Sequence, residues 1–243
     1  MSRLQHLMEA NQRAHRVEEK RRLILRFLRD EIWSDPKNIG ELLQVKPAAA
    51  YRTLANLTQL ELLRSMRIPV VGGFSTLWGI TAHGQAMASD PGEVVFKKTF
   101  SPSRISTRYV RHILDIQWLR IRAERSGWTE WVIADRIDKW AEGQPRPDAF
   151  ALDTSGARIA IEAEITLKSP KRYVQILNAW LQAIRRNEVQ RVIWVSPDAT
   201  VRDRLRAIVH GITHVDVAGQ RILVPRDRFE NLDFLTYAEW PKS

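Results

Sequence analysis

Residues 158–166, RIAIEAEIT, constrain the fold of this chain more than any other stretch. Apolar and polar residues alternate with a period of two, which is the repeat of a β-strand because successive side chains point to opposite faces. One face is then apolar, whereas Glu162 and Glu164 share the other face with Ala160 and Thr166. Two neighbouring carboxylates raise each other's pKa unless a cation lies between them, and burial adds to the cost. The pattern therefore predicts a strand that carries a functional site.

A third carboxylate joins the pair if the preceding segment forms a hairpin with this strand. Residues 148–153 predict a strand, and Thr154-Ser155-Gly156 is a turn sequence. Closure at that turn brings Asp148 alongside Glu162 and Glu164. Three convergent carboxylates are a hard-oxygen site suited to Mg²⁺ or Mn²⁺. The alternative is an exposed edge strand whose acids pair with Arg158, Lys168 or Arg172.

The rest of this half of the chain alternates helices and strands. The periodicity predicts helices over 105–123, 173–186 and 198–210, and strands over 131–134, 148–153, 158–166, 191–195, 213–217 and 221–224. The order is α-β-β-β-α-β followed by α-β-β. We therefore expect an α/β (α+β) domain over residues 105–243, preceded by a turn-rich, polar linker over 91–104.

The first ninety residues show helical stretches followed by a pair of strands. Helices are predicted over about 5–31, from Pro36 to about 43, and over 47–59, and strands over 62–70 and 74–81 with Gly72-Gly73 as the turn. This is the order of a winged helix-turn-helix domain, whose second helix enters the major groove of DNA. The predicted DNA contacts on that helix and on the wing are Lys46, Ala49, Ala50, Arg52, Thr53, Arg64 and Arg67. Winged helices also serve as protein–protein modules, so that alternative stays open.

Charge and composition favour a nucleic-acid partner. The 243 residues carry 38 Lys and Arg against 28 Asp and Glu, a net charge of +10, and the isoelectric point is about 10.3. Proteins this basic commonly bind polyanions. Cysteine is absent, which excludes disulfide scaffolds and cysteine-based zinc sites. Because no apolar run reaches the ~18 residues of a membrane span, we expect no membrane insertion and a cytoplasmic location.

The second half resembles a known nuclease family. The α-β-β-β-α-β order, the block RPDA (146–149) and Glu162-x-Glu164 look like the PD-(D/E)xK core of restriction endonucleases. Together with the winged helix, RPDA and IEAEITLKSPKRY (161–173) resemble the replication-relaxation and MobC-type plasmid mobilization proteins, which are relaxases or relaxosome proteins. The resemblance spans about residues 15–200, although its specific blocks are short.

The resemblance implies a role for each site residue. Asp148 and Glu162 would bind the metal, Glu164 would bind it or act as general base, and Lys168 would steady the phosphate or the leaving group. In the family a lysine stands where this chain has Glu164, so Lys168 or Lys171 is an alternative to Glu164 in activating water. Asp115, on the first helix of the core, is the candidate for a further metal ligand. Lys171, Arg172 and Tyr173 are expected to contact DNA beside the site.

The resemblance implies a function in conjugation. We expect a plasmid mobilization relaxase, a metal-dependent nickase that cuts one strand of double-stranded DNA at a transfer origin. An accessory mobilization protein and a coupling ATPase are the expected partners, and the oligomeric state stays open. The alternatives are a non-catalytic replication or transcription regulator with an inactive nuclease-like domain, and an endonuclease that makes double-strand breaks. The chain contains no H-x-H and no Walker motif, but a nucleophilic role of Tyr173 also stays open.

Overall fold

The computed structural model describes residues 3–70, 73–90, 92–93, 98–133, 146–217 and 219–241. These residues form two compact units, 1–118 and 119–243, which are described separately. Within the described residues, no helix is long and apolar enough to cross a membrane. The protein is a mixed α and β structure, as its sequence predicts.

The first unit is built from helices and a small antiparallel sheet. Its elements are α1 (Arg3–Glu31), β1 (Trp33–Ser34), α2 (Pro36–Leu43), α3 (Pro47–Gln59), β2 (Leu63–Val70), β3 (Gly73–Ile80) and α4 (Ala82–Ala88), with the strands in the order β1-β3-β2. This arrangement is compatible with a winged helix. The sequence did not predict β1, which has two residues and therefore no readable alternation. The predicted turn residue Gly72 lies outside the described residues.

Local signals set the bounds of the second and third helices. The side chain of Asp35 accepts a hydrogen bond of 2.8 Å from the backbone of Asn38, which caps α2. Gln44 ends α2 in the left-handed conformation with φ of 55°. Pro47 occupies the first turn of α3, where its missing N–H has no helical partner to lose. These short-range signals explain why the sequence located both helices.

The first unit extends well past the predicted linker 91–104. Phe100 and Val110 are buried in a core with Trp33, Ile68 and Leu77. Further along, the amide of Gln117 donates a hydrogen bond of 2.7 Å to the carbonyl of Trp33. The units therefore divide inside helix α5 (Val110–Arg125), between residues 118 and 119, and not in the turn-rich stretch. Burial of single apolar residues beyond a polar stretch gives no periodic signal. Residues 91 and 94–97 of the predicted linker lie outside the described part.

The second unit contains a five-stranded sheet with helices. Its elements after α5 are β4 (Thr129–Ile133), β5 (Ala149–Leu152), β6 (Arg158–Ala163), α6 (Pro170–Arg185), β7 (Arg191–Ser196), α7 (Ala199–His210), β8 (His214–Val217), β9 (Gln220–Leu223) and β10 (Leu232–Thr236). The large sheet has the order β10-β7-β6-β5-β4. Strands β4, β5 and β6 are antiparallel, whereas β6, β7 and β10 run parallel. Strands β8 and β9 form a separate hairpin.

The observed elements follow the predicted α-β-β-β-α-β order, with two differences that concern the site. Strand β6 ends at Ala163 and not at residue 166, so Glu164 lies just beyond the strand. Helix α6 begins at Pro170 and not at residue 173, because Ser169 caps it and Pro170 starts it. The sequence missed β10, which pairs in parallel with the buried β7.

Helix α6 packs on the face of the sheet that carries Glu162. Its residues Tyr173, Leu177 and Trp180 share a buried core with Phe150 of β5 and Ala160 of β6. Phe150 and Ala160 lie opposite each other in the β5–β6 ladder, so they occupy one face. Glu162 follows Ala160 by two residues and therefore projects to the same side. The face of β6 that carries Glu162 is thus packed against α6, and Glu162 itself stays partly exposed.

Candidate functional site

Asp148 stands across from Glu162 at one end of the β5–β6 hairpin. The ladder pairs Ala149 with Ile161, and one further step of this register places Asp148 opposite Glu162. The Asp148 N–H donates to the carbonyl of Ile161 at 3.0 Å. The Ala163 N–H in turn donates to the Asp148 carboxylate at 2.7 Å. Side chains of directly opposed residues lie on the same face of a sheet, so the two carboxylates converge.

The carboxyl group of Glu162 is unusually costly to ionise in this environment. Burial, followed by the negative charge of Asp148, raises the pKa of Glu162 well above its usual range. Glu164 adds to this effect, while the positive charge of Lys168 opposes it. The indole N–H of Trp180 donates to the Glu162 carboxylate at 3.2 Å. The site therefore holds a carboxyl pair that favours either a proton or a cation.

Glu164 is held by one side chain from the loop before α6 and by one from the first turn of that helix. It is 2% exposed, and its carboxylate accepts a hydrogen bond from the ammonium of Lys168 at 2.5 Å. Burial raises the pKa of Glu164, whereas the bonds from Lys168 and from the hydroxyl of Tyr173 lower it. The Lys168 backbone N–H also donates to the Tyr173 hydroxyl at 3.0 Å. Glu164 thus acts on Glu162 through its negative charge, while its own carboxylate bonds to Lys168 and Tyr173.

The donor chemistry at this site fits a divalent cation on two carboxylates. Asp148 and Glu162 supply hard oxygen donors, and the negative charge of Asp148 adds to the effect of burial in raising the pKa of Glu162. Mg²⁺ is usually held in proteins by one or two carboxylates with water and phosphate oxygens as the other ligands. No group of three or more His, Cys, Asp or Glu among the described residues is arranged to hold a metal ion. The expected three-carboxylate group is therefore not formed among these residues: Asp148 and Glu162 face each other, whereas Glu164 lies just beyond β6 and bonds to Lys168.

Asp115 lies in the first unit and has partners there. Its carboxylate accepts hydrogen bonds of 3.2 and 3.1 Å from the guanidinium of Arg111, one turn earlier on α5. Its negative charge also acts on the Asp35 carboxyl group, whose pKa is raised mainly by burial. The structure therefore places Asp115 in an ion pair of the first unit.

The residues that follow Lys168 divide into exposed and buried positions. Lys171 and Arg172 are exposed at the first turn of α6, as a DNA contact requires. Tyr173, in contrast, is 1% exposed, so the expected DNA contact at this residue is wrong. Burial raises the pKa of Tyr173, and the charge of Glu164 raises it further. A buried, neutral phenol that bonds to Glu164 is poorly suited to act as a nucleophile.

The predicted recognition helix presents a mixed surface. Lys46 and Arg52 are exposed at α3, and Ala49 is half-buried. Ala50 is 0% exposed, so a DNA contact at Ala50 is wrong, because the position faces the core with Leu54 and Leu57. The Thr53 hydroxyl donates to the carbonyl of Ala49 at 3.2 Å, within the helix.

The two wing arginines lie on opposite faces of the β2–β3 hairpin. Arg64 stands opposite Gly79, and its guanidinium lies 5.5 Å from the centre of the Phe100 ring. Arg67 stands three residues later and therefore faces the other side. Ser65 lies on the same face as Arg67 and stands opposite Trp78. The centres of the Trp78 and Tyr51 rings are 5.1 Å apart, so this face leads to α3. Only Arg67 of the two shares the face that leads to α3.

Sequence reasoning missed several residues at these surfaces. Trp180 is not among the predicted site residues, although its indole N–H donates to the Glu162 carboxylate. Tyr51 is not among the predicted DNA contacts, although it lies on α3 and is 52% exposed. The sequence predicted Phe74 as the first residue of a strand and gave it no binding role, although its side chain is 65% exposed. The spacing of Phe74 from Trp78 was a usable signal, since residues four apart in a strand share a face.

Comparison with known proteins adds little to this description. No family model matches the sequence, and no curated protein matches it. Among solved structures, the chain is similar to a mutant of Lactococcus lactis ZitR in its apo form, with 30% identity and a TM-score of 0.27. The match covers 35% of this chain and 62% of ZitR, which is less than two thirds of that protein.

Proposed function

We propose that the protein is a metal-dependent DNA nickase in which the second unit cuts a strand of the duplex that the first unit binds. The observation that carries this proposal is that Asp148 stands opposite Glu162 at the end of the β5–β6 hairpin. Burial, followed by the charge of Asp148, raises the pKa of Glu162. A pair of this kind destabilises the fold, so its presence is best explained by a cation that binds between the carboxylates. The element order and the acids support a PD-(D/E)xK-type core.

Each residue of the cluster has a distinct task in this proposal. Asp148 and Glu162 would hold Mg²⁺ or Mn²⁺, which would polarise a phosphate and lower the pKa of a bound water. Trp180 orients Glu162 through its indole N–H. Lys168 is half exposed and offsets the negative charge that develops on the phosphate oxygens. Glu164 anchors Lys168, so it is a positioning residue and not the general base.

The proposed setting is plasmid mobilization. A basic chain with a DNA-docking unit and a single nuclease-type site suits strand-specific nicking at a transfer origin, in the cytoplasm. The proposed partners are an accessory mobilization protein, which would help select the origin, and a coupling ATPase, which would receive the nicked strand. These assignments rest on the resemblance of RPDA and IEAEITLKSPKRY to MobC-type proteins.

A plasmid-nicking assay tests the proposal. Supercoiled plasmid with and without a mobilization origin is incubated with the full-length protein and Mg²⁺, Mn²⁺ or EDTA. Open circles that form only with a divalent cation support the nickase. Linear DNA as the first product points instead to an endonuclease that makes double-strand breaks. Absence of any cleavage with either cation contradicts the proposal.

One observation favours the second candidate, a DNA-binding regulator with an inactive nuclease-like domain. Glu164 is engaged by Lys168 and Tyr173, and within the described residues the acids do not form a three-ligand metal group. A regulator would bind a specific duplex tightly without cleaving it. Isothermal titration with Mn²⁺ separates the two candidates, since the regulator has no reason to bind the ion at Asp148 and Glu162.

A further inference from the structure

The outer end of the β2–β3 hairpin carries an exposed apolar pair with a cation beside it. Phe74 stands directly opposite Pro69, and both are exposed. The guanidinium of Arg67 lies 4.4 Å from the centre of the Phe74 ring. Phe74 is 65% exposed, although burial of an aromatic ring is strongly favourable. The exposed ring of Phe74, the exposed Pro69 opposite it and the guanidinium of Arg67 together form a mixed apolar and basic surface at the hairpin end.

This apolar pair faces the same way as the third helix. One face of the hairpin carries Arg67, Pro69, Phe74 and Trp78. Directly opposed residues share a face, as do residues two apart in a strand, and Pro69 stands opposite Phe74. Trp78 contacts Tyr51 of α3 at the inner end of that face. Phe74 lies four positions from Trp78, which is about 13 Å along a strand. The major groove is ~12 Å wide. If α3 lies in the major groove, the hairpin end that carries Phe74 is therefore long enough to reach the adjacent minor groove.

The charge of this surface complements DNA. Between residues 44 and 80 the sequence contains four basic residues and a single acid, Glu61. Glu61 lies in the turn between α3 and β2 and not on the hairpin. Phe and Pro are side chains that architectural proteins insert between base steps from the minor groove, and arginine is attracted to its negative potential.

We propose that Phe74, supported by Pro69 and Arg67, is a wedge that inserts into the minor groove of duplex DNA and bends it. The occupant of this surface is thus a deformable, A·T-rich duplex with a TA step, since such steps unstack at low cost. The inference rests on the DNA-docking part of the proposed function and not on cleavage. It assigns the hairpin a role in shaping the DNA that the nuclease-type site receives.

The bend is measured by energy transfer between dyes at the two ends of a duplex of about 30 base pairs, in EDTA. A 2-aminopurine at a central TA step reports unstacking in the same duplex, and anisotropy gives the affinity. We expect wild type to raise both the energy transfer and the 2-aminopurine fluorescence. Phe74→Ala should lower the increase in energy transfer and in 2-aminopurine fluorescence by more than about half, and weaken the affinity about tenfold. Phe74→Leu should keep both signals and the affinity near those of wild type.

Met66→Ala is the matched control, because Met66 is an exposed apolar residue of the same hairpin on the opposite face. This variant should bend DNA as wild type does. Bending by Phe74→Ala that equals wild type overturns the inference, as does binding by wild type without any bend. Because Phe74 is exposed, its replacement should leave the thermal unfolding curve unchanged. Wild type that binds no duplex at low salt refutes the DNA-docking assignment itself, whereas normal bending without nicking refutes only the nickase.

Discussion

The ammonium of Lys168 lies 2.5 Å from the carboxylate of Glu164, four residues earlier in the chain. In the PD-(D/E)xK pattern a lysine occupies the sequence position that Glu164 has here. The contact brings an amine to that position from the loop before α6. The sequence left Glu164, Lys168 and Lys171 as alternatives for activating water. If the proposed nickase activity holds, this contact favours Lys168 over Lys171 as the residue that would face the phosphate.

Replacement of Lys168 tests this assignment. Lys168→Ala should lower the nicking rate at saturating metal by about 100-fold, and Lys168→Arg should recover part of it, since the charge returns with a different shape. Lys171→Ala is the matched control, because Lys171 is exposed beside the same helix start. It should weaken DNA binding slightly and leave the rate at saturating DNA unchanged. Equal rate losses in both alanine variants would contradict the assignment.

Neutral replacement of the acid pair separates cleavage from binding. Asp148→Asn and Glu162→Gln should each lower metal-dependent nicking by at least about 100-fold, because each removes a negative oxygen ligand. DNA affinity, measured in EDTA, should stay the same or rise, since a negative charge near the phosphates is lost. Nicking at the wild-type rate by either variant would show that the metal is bound elsewhere.

The pH dependence of stability tests the electrostatics of Glu162 without any activity assay. The folded protein holds the Glu162 proton more tightly than the unfolded chain, because the folded-state pKa is raised. Its contribution to the free energy of unfolding is therefore present below the ordinary glutamate pKa and is lost as the pH rises through the raised value. Glu162→Gln should match wild type near pH 4 and melt at a higher temperature near pH 8, by about 2–4 °C for each kcal/mol relieved.

Glu188→Gln is the control for this stability measurement. Glu188 forms an exposed ion pair with Arg186 at 2.8 Å, so its replacement should bring no increase in melting temperature at either pH. Addition of Mg²⁺ or Mn²⁺ near pH 8 should raise the melting temperature of wild type but not that of Glu162→Gln. A melting temperature of Glu162→Gln below wild type near pH 8 would contradict the raised pKa.

Tyr173→Phe tests whether cleavage passes through a tyrosine–DNA bond. Because Tyr173 is 1% exposed and bonds to Glu164 and to the Lys168 backbone, we expect nicking to persist within about tenfold of wild type. Denaturing gels of the wild-type product should show no protein attached to the DNA. A covalent adduct that disappears in Tyr173→Phe would instead establish the phenol as the nucleophile.

The arginines of the first unit provide a test of the DNA-docking face. Arg52→Ala, on exposed α3, should weaken duplex binding about fivefold or more and lower the slope of affinity against salt by about one. Arg64→Ala should have a smaller effect, since Arg64 lies over Phe100 on the hairpin face that does not lead to α3. Fluorescence anisotropy at several salt concentrations measures both quantities. A larger loss in Arg64→Ala would place the DNA on the other face.

Local sequence signals account for most of the secondary structure. Pro36, Pro47 and the cap residues around them located α2 and α3, a period of two located β6, and the turn at Thr154-Ser155-Gly156 located β5 before it. The predicted hairpin places Asp148 opposite Glu162, whereas Glu164, which the sequence put on the same strand face, lies just beyond the end of β6. Helices and strands are predictable to this extent because capping, turn formation and strand alternation depend on residues only a few positions apart.

The sequence did not determine which side chains bury and which pair. It could not show that Ala50 and Tyr173 face a core, that Trp180 bonds to Glu162, or that the first unit extends to residue 118. It also left Lys168 and Lys171 as alternatives to Glu164 in activating water, and did not show that Lys168 bonds to Glu164. Each of these outcomes depends on packing between elements distant in sequence. Only the tertiary structure brings those elements together, and the pKa of Glu162 and the faces of Arg64 and Arg67 follow from that arrangement.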